Sequence, residues 1–222
     1  MLIVSVTYFA GERVASAGVG GDEPASAKDK ITVIIDAGHG GRDGGASTES
    51  GVLEKDLNLA VALKLRSLIS QLDVNVIMTR ETDVMLADEA SAHKKRDDLN
   101  ARLNMAKEQE NCIFVSIHMN KFPVEKYSGL QVYYSGNNEE SLALAEAIQN
   151  KAGEFLRKGN ARTVKAADSS IYILHHIEVP AVLVECGFLS NPEEAALLCT
   201  EEYQNKLAAV IFAAVAEHIQ CE

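Results

Sequence analysis

The pattern of apolar and polar positions divides the chain into alternating short and long segments from residue 31 onward. The short segments are runs of apolar and largely β-branched residues, which is typical of buried strands. The long segments repeat apolar residues at a spacing of three and four, which is typical of amphipathic helices. Strands are predicted at Ile31–Ile35, Val74–Met78, Cys112–Ile117, Leu130–Tyr134 and Ala181–Val184. Helices are predicted at Leu53–Gln71, Lys94–Gln109, Glu139–Leu156 and Glu201–Gln220.

Alternation of strands with helices predicts an α/β fold, a single-domain three-layer sandwich with a mostly parallel twisted sheet and helices on both faces. The chain has 222 residues, 47% of them hydrophobic and 24% charged, which is enough for a large core without cross-links. Its formal net charge of -11 argues against nucleic acid as a partner. The four cysteines show no C-x-x-C zinc spacing and require no disulfide framework.

The first 29 residues differ in composition from the rest of the chain. Leu2–Ala10 is an apolar run that is too short to span a bilayer but has the length of a signal-peptide core. The small residues Ala15–Ala17 resemble a cleavage site, although no basic segment comes first, and a loose N-terminal strand is the alternative. We expect residues 1–29 to be a hydrophobic export signal or remnant of a membrane anchor followed by a linker, and residues 30–222 to form the catalytic domain.

Four ionisable residues lie where the predicted strands end. His39 follows the first strand, His118 ends the third, Glu185 ends the last, and Glu54 opens the first helix. Ligands bind outside the carboxyl ends of the strands in open α/β sheets, so we expect these two imidazoles and two carboxylates to meet at one edge.

His39 lies in a glycine-rich stretch, Val33–Ala46, with the sequence VIIDAGHGGRDGGA. The third glycine of a dinucleotide-binding loop is replaced by Asp43, and no Lys-Ser or Lys-Thr of a P-loop follows. The chain also contains no G-x-S-x-G esterase motif. We therefore expect the loop to shape the backbone around His39 instead of binding phosphate.

Two histidines and one carboxylate form a ligand set that is typical of catalytic zinc. A second carboxylate can carry a proton from water to a leaving nitrogen. The spacing leaves open whether Glu54 or Glu185 is the ligand. A cysteine hydrolase with Cys186 as nucleophile and His118 as base is a rival, but Cys186 follows Glu185 directly and should point to the opposite face.

Five segments in this order resemble the zinc-dependent N-acetylmuramoyl-L-alanine amidases, the Amidase_3 family. They are DAGHGGRDGGA, EKDLNLA, Thr79–Arg80, SIHMN and VPAVLVECGFLSNPEE. The resemblance implies that His39, Glu54 and His118 bind zinc and that Glu185 is the catalytic glutamate. It also implies hydrolysis of the amide between N-acetylmuramic acid and L-alanine in peptidoglycan.

The same resemblance points to substrate contacts. In the family a segment similar to that of Arg162 and Lys165 lines the substrate groove, where it would meet carboxylates of the peptide stem; a solvated basic patch is the alternative. Asn120 lies two residues after His118 and either touches ligand or substrate or caps a loop. Arg80 and Arg102 are expected to be structural, as ion pairs near Asp83 or at the edge of the sheet.

A short hydrophobic N-terminus before a bare catalytic domain is most similar to germination-type amidases, which strip stem peptides before muramic δ-lactam forms in the spore cortex. A vegetative autolysin and a non-catalytic wall-binding module are the alternatives, the latter disfavoured because all four site residues are present. The protein is expected outside the cytoplasmic membrane, in the cell wall or the forespore intermembrane space. Residues 135–178 are too few for the inserted helix that blocks some relatives, so an activating partner protein, timing of expression or confinement is expected to provide control.

Overall fold

A single six-stranded sheet organises the protein, whose computed structural model describes residues 30–156 and 162–220. The strands are Thr32–Ala37 (β1), Asn75–Met78 (β2), Cys112–Asn120 (β3), Gln131–Tyr134 (β4), Lys165–Ala166 (β5) and Ala181–Phe188 (β6). Their order in the sheet is β2-β1-β3-β6-β4-β5. Neighbouring strands are parallel except for β4 and β6, which are antiparallel.

Helices cover both faces of this sheet. They are Glu54–Ile69 (α1), Lys94–Lys107 (α2), Glu140–Phe155 (α3), Tyr172–His176 (α4), Pro192–Leu198 (α5) and Glu201–Gln220 (α6). On one face α1 and α3 contact the strands and α6 packs between them, while α2 and α4 contact each other and the strands on the other face. The three-layer α/β sandwich predicted from the sequence is confirmed.

Alternation along the strands creates two separate cores. Val33 and Ile35 of β1 face the core beneath α1, α3 and α6, whereas Ile34 faces the smaller core beneath α2 and α4. On β6, Cys186 is fully buried in the larger core. Its neighbour Glu185 therefore points to the opposite face of the sheet, the one that α2 and α4 cover. His118 on β3 points to the same face.

The structure differs from the sequence prediction mainly after α3. The stretch that lacked a clear pattern contains β5 and α4, and α5 was not predicted. Two local signals mark the start of α5: the Asn191 side chain accepts a hydrogen bond from the Glu194 amide at 2.9 Å, and Pro192 occupies the first helical position. Strands β1, β3 and β6 also run further than predicted, so His118 and Glu185 are held by the sheet itself.

The N-terminal predictions for Leu2–Ala10 and Ala15–Ala17 lie outside the described residues. None of the described helices has both the length and the apolar character needed to cross a membrane.

Candidate active site

Three side chains converge at the carboxyl ends of the central strands. Glu54 begins α1, and its Oε1 lies 3.2 Å from His39 Nε2 and 3.0 Å from His118 Nδ1. One ligand atom from each of the three residues lies within 4.8 Å of the other two. Two imidazoles and one carboxylate at this separation fit a divalent metal ion, and they are a donor set that zinc accepts. The structure therefore brings together the three residues to which the family resemblance assigned a metal.

Glycines let the backbone approach these ligands. A Cβ atom at Gly38 would lie 2.2 Å from His118 Nε2, which is an impossible contact. At Gly45, where φ is +66°, a Cβ atom would lie 2.5 Å from Glu54 Oε2 and 2.7 Å from His39 Cδ2. The glycine-rich loop therefore packs its main chain directly against all three ligand side chains.

Backbone amides fix the Glu54 carboxylate. Ala46 N–H donates to Oε2 at 2.8 Å, and Met119 N–H donates to Oε1 at 3.1 Å. Burial alone would raise the pKa of Glu54, but hydrogen bonds from His118 and His39 outweigh burial and hold that pKa well below its usual value. The carboxylate is therefore ionised at neutral pH, as a metal ligand must be.

Asp43 orients His39 from the other side of the ring. Its Oδ2 lies 3.0 Å from His39 Nδ1, which leaves Nε2 as the nitrogen that faces Glu54. Histidines that bind metals commonly donate their second ring N–H to a carboxylate in this way. Sequence reasoning treated Asp43 only as a replaced glycine and missed this role, although an acidic residue four positions after a ligand histidine was an available signal.

Glu185 lies beside the cluster on β6. Its Oε2 is buried and has no hydrogen-bond partner among the described residues, which is rare for a carboxylate oxygen. Burial raises the pKa of Glu185 to about 7, and the negative charge of Glu54 acts in the same direction. A carboxyl group with a pKa near neutrality exists in both protonation states and is suited to general acid–base chemistry.

A groove of about 280 Å³ lies next to this site. It contains all three residues that the sequence assigned to substrate contact, together with four aromatic side chains: Asn120, Arg162, Lys165, Phe122, Tyr127, Tyr133 and Phe188. The Arg162 guanidinium lies 4.5 Å from the centre of the Phe188 ring, and its Nε donates to the Ser128 carbonyl at 3.0 Å. Tyr133 on β4 pairs with Leu183 on β6, two residues before Glu185, so the groove lies close to Glu185. Burial, and then the charge of Glu185, raises the pKa of Tyr133.

Glu194 stabilises one wall of the groove by hydrogen bonds to the backbone. The sequence analysis did not assign this role. Its Oε1 accepts from Gly129 N–H and its Oε2 from Phe188 N–H, both at 2.7 Å. Glu194 lies in the first turn of α5, which begins at Pro192, four residues after the end of β6. This buried carboxylate joins the loop after β3 to the strand that carries Glu185.

Arg102 forms ion pairs as expected, with Asp36 at 2.6 Å and Asp98 at 2.8 Å. Arg80 does not pair with Asp83; its guanidinium donates to backbone carbonyls, and Asp83 pairs with Lys55 at 2.6 Å. Lys55, which follows Glu54 in the chain, is therefore the ion-pair partner of Asp83, a role that the sequence analysis gave to Arg80.

The structure does not support a nucleophilic role for Cys186. Its side chain is fully buried on the face of the sheet opposite to Glu185 and His118. Burial raises the pKa of the thiol well above its usual range, so a thiolate is disfavoured.

Comparison with protein families agrees with this geometry. Residues 33–217 match the family described as N-acetylmuramoyl-L-alanine amidase, Amidase_3. The germination-specific N-acetylmuramoyl-L-alanine amidase of Bacillus subtilis is 38% identical over 185 residues, which cover 81% of this chain and 76% of that protein. The N-acetylmuramoyl-L-alanine amidase LytC of the same species is 31% identical over 182 residues, covering 81% of this chain and 34% of LytC.

Solved structures show the same fold. The CwlD amidase from Clostridioides difficile, determined in complex with the GerS lipoprotein, is 40% identical with a TM-score of 0.82, covering 86% of this chain and 100% of that one. The amidase AmiC2 of Nostoc punctiforme is 30% identical with a TM-score of 0.74, covering 86% and 97% of the two chains.

Proposed function

Because the chain belongs to the N-acetylmuramoyl-L-alanine amidase family and is a peptidoglycan amidase, we propose that it cleaves the amide between N-acetylmuramic acid and L-alanine with zinc as its metal. The observation that carries this proposal is the convergence of His39, Glu54 and His118, with their ligand atoms within 4.8 Å of one another. The residues are a donor set that suits zinc, and an ionised Glu54 reduces the net charge of the site.

Zinc, when bound, supplies the Lewis acid that activates water for attack on an amide carbonyl. The chain's own part is to hold the donors and to move the proton. Ala46 and Met119 amides hold Glu54, while Asp43 sets the tautomer of His39. Glu185 Oε2, which has no other partner among the described residues, takes a proton from the attacking water and delivers it to the leaving nitrogen of L-alanine.

The groove beside Glu185 binds the stem peptide in this proposal. Stem peptides carry carboxylates, and Arg162 and Lys165 supply positive charge at the groove wall. Asn120 ends β3 two residues after His118 and offers an amide to the peptide backbone. The exposed rings of Phe122 and Tyr127 pack edge to face and form the outer wall.

The biological role proposed here is removal of stem peptides in the spore cortex, before muramic δ-lactam forms, as germination requires. Similarity to the germination-specific enzyme of Bacillus subtilis supports it. The similarity to cell-wall and germination amidases supports action outside the cytoplasmic membrane, and the compartment proposed is the cell wall or the forespore intermembrane space. The relative from Clostridioides difficile was solved in complex with a lipoprotein, and this supports an activating partner at the membrane surface for the present chain as well.

Digestion of purified peptidoglycan tests the chemistry. We expect the full chain to release stem peptides with free L-alanine N-termini, a chelator to abolish release, and added zinc to restore it. Cys186→Ala should retain the activity, since Cys186 is buried away from the site. Loss of activity on thiol alkylation but not on chelation would favour a cysteine hydrolase, and wall binding without release would favour a binding module. Because the relative was solved with a partner, the assay is run with and without membrane extract of the source organism.

Analysis of the cortex tests the role. Deletion of the gene should remove muramic δ-lactam from spore peptidoglycan and leave vegetative wall turnover unchanged. Normal δ-lactam content with slowed vegetative turnover would instead identify a general autolysin.

A further inference from the structure

The main chain of His39 has an unusual conformation. Its φ is 61°, and it is the only non-glycine residue of the described ranges with a positive φ. L-amino acids rarely adopt this left-handed region, because Cβ then crowds the following carbonyl oxygen. Other contacts must therefore hold the His39 backbone in place.

Arg102 makes such contacts from α2. Its side chain is 2% exposed, and Nη2 donates to the His39 carbonyl at 2.7 Å. Nη1 donates to the Ala37 carbonyl at 2.8 Å and to Asp36 Oδ1 at 2.6 Å, and Nε donates to Asp98 Oδ2 at 2.8 Å. All three guanidinium nitrogens are thus engaged, two of them with the backbone that carries His39.

Arg80 adds contacts from the segment that follows β2. Its Nε donates to the Ala37 carbonyl at 2.8 Å, and its Nη2 donates to the Gly38 carbonyl at 3.0 Å and to the Lys55 carbonyl at 2.7 Å. The carbonyls of three successive residues, 37 to 39, are therefore all held by guanidinium groups. The same Arg80 ties this segment to the first turn of α1, which carries Glu54.

We propose that Arg102, with Arg80, is a positioning residue of the metal centre, which holds His39 in its left-handed conformation and so keeps the imidazole at the metal. The inference rests on the proposed metal site. Arg102 fixes the main chain of His39 and Asp43 fixes its ring, so the ligand is held at both ends. A lysine cannot replace Arg102 because one ammonium cannot reproduce the planar fork that reaches carbonyls and carboxylates together.

A purely structural role for Arg102 makes a different prediction. A buried ion pair with Asp36 and Asp98 would contribute to the stability of the fold without affecting metal affinity in molecules that remain folded. The positioning role requires zinc affinity to fall in a folded variant, because the apo protein must then spend free energy on ordering His39 when the metal binds.

The test is the zinc dissociation constant of the metal-stripped full chain, measured by competition with a chromophoric chelator. We expect Arg102→Lys to weaken zinc binding about 10- to 100-fold, the usual effect of losing a group that orients a ligand. Ile148→Val is the matched control, because Ile148 is fully buried on α3 and its truncation lowers stability without touching the site.

Three results would overturn the inference. Equal zinc affinity in Arg102→Lys and the unchanged protein would refute the positioning role and leave the metal site intact. An equal loss in Ile148→Val would mean that stability alone controls affinity. No zinc binding by the unchanged protein would refute the metal site and this inference together. If Arg102→Lys does not fold, Arg80→Lys decides, since it removes the second guanidinium that holds the carbonyls of Ala37 and Gly38; unchanged zinc affinity in that variant would refute the proposal.

Discussion

His118 and Glu185 are register partners on the adjacent parallel strands β3 and β6. Paired residues of parallel strands point to the same face, so hydrogen bonding of the backbone alone places the proposed ligand beside the proposed proton carrier. A slip of one residue would instead bring Cys186 next to His118 and turn Glu185 into the apolar core. The sheet therefore fixes the relative position of the His118 and Glu185 side chains. The proposed roles of the site residues can be tested separately by substitution.

Replacing Glu185 by glutamine should separate catalysis from metal binding. Glu185→Gln keeps the shape but cannot carry the proton, so kcat should fall about 10²- to 10⁴-fold. Zinc content, measured by atomic emission, should equal that of the unchanged protein. Glu54→Ala is the counterpart, because loss of a ligand should empty the site of zinc. Equal loss of zinc in both variants would contradict this division of roles.

Replacing Asp43 by asparagine tests the orientation of the His39 ring. Asp43→Asn removes the charged acceptor 3.0 Å from His39 Nδ1, and zinc affinity should fall about 10- to 100-fold. Lys95→Gln is the matched control, since the Lys95 ammonium lies 3.9 Å from the same carboxylate but is exposed and does not contact His39. If the two variants bind zinc equally well, Asp43 does not orient the ligand.

Removing one positive charge from the groove tests substrate binding. Lys165→Gln should lower kcat/KM about fivefold through KM, since an exposed charged contact contributes about 1 kcal/mol or less. The difference should disappear on substrates whose stem carboxylates are amidated, because the partner of the ammonium is then missing. Lys206→Gln on α6, paired with Glu202 on the far face of the sheet, should have no effect on either substrate. A uniform loss on both substrates would show that Lys165 supports the fold and does not recognise carboxylates.

Acid should destabilise the protein through Asp36. Burial alone would raise the pKa of Asp36, but the Arg102 charge and hydrogen bonds from Ser116 and Thr79 outweigh it and lower that pKa. A carboxyl whose pKa is lower in the folded state stabilises the protein above its unfolded pKa of about 3.9, and this contribution is lost as pH falls through the folded pKa.

Urea unfolding at a series of pH values measures this contribution. Asp36→Asn should lower the free energy of unfolding at pH 7 by about 3 kcal/mol, since it leaves Arg102 short of a buried partner. The difference from the unchanged protein should shrink below about pH 4, where Asp36 of the unfolded chain begins to take up a proton while the folded carboxylate stays charged. Glu81→Gln, which removes an exposed partner of Arg66, should change stability by less than about 1 kcal/mol at any pH. A constant difference between Asp36→Asn and the unchanged protein across the series would argue against linkage through this group.

Local patterns were sufficient for the fold class and for the expectation that His39, Glu54, His118 and Glu185 meet at one edge of the sheet, whereas the division of roles between the two glutamates came from the family resemblance. Apolar alternation predicted the strands and placed Cys186 and Glu185 on opposite faces, since successive side chains of a strand point in opposite directions. The rule that ligand sites lie at the carboxyl ends of parallel strands predicted the meeting of His39, Glu54 and His118. By contrast β5 and α4 are too short to produce a periodic signal, so they were not predicted.

The sequence by itself determined which strand residues face the site, because the face on which a strand residue lies depends on the two-residue period of the strand and on where the strand ends. Only the tertiary structure decided how the site is held. Arg102 reaches Asp36 and His39 from a helix more than sixty positions along the chain. Glu194 and Arg162 likewise join segments that are distant in sequence to form the groove. Such contacts depend on how helices pack across the sheet, and no local pattern of residues specifies which buried donor will meet which backbone carbonyl.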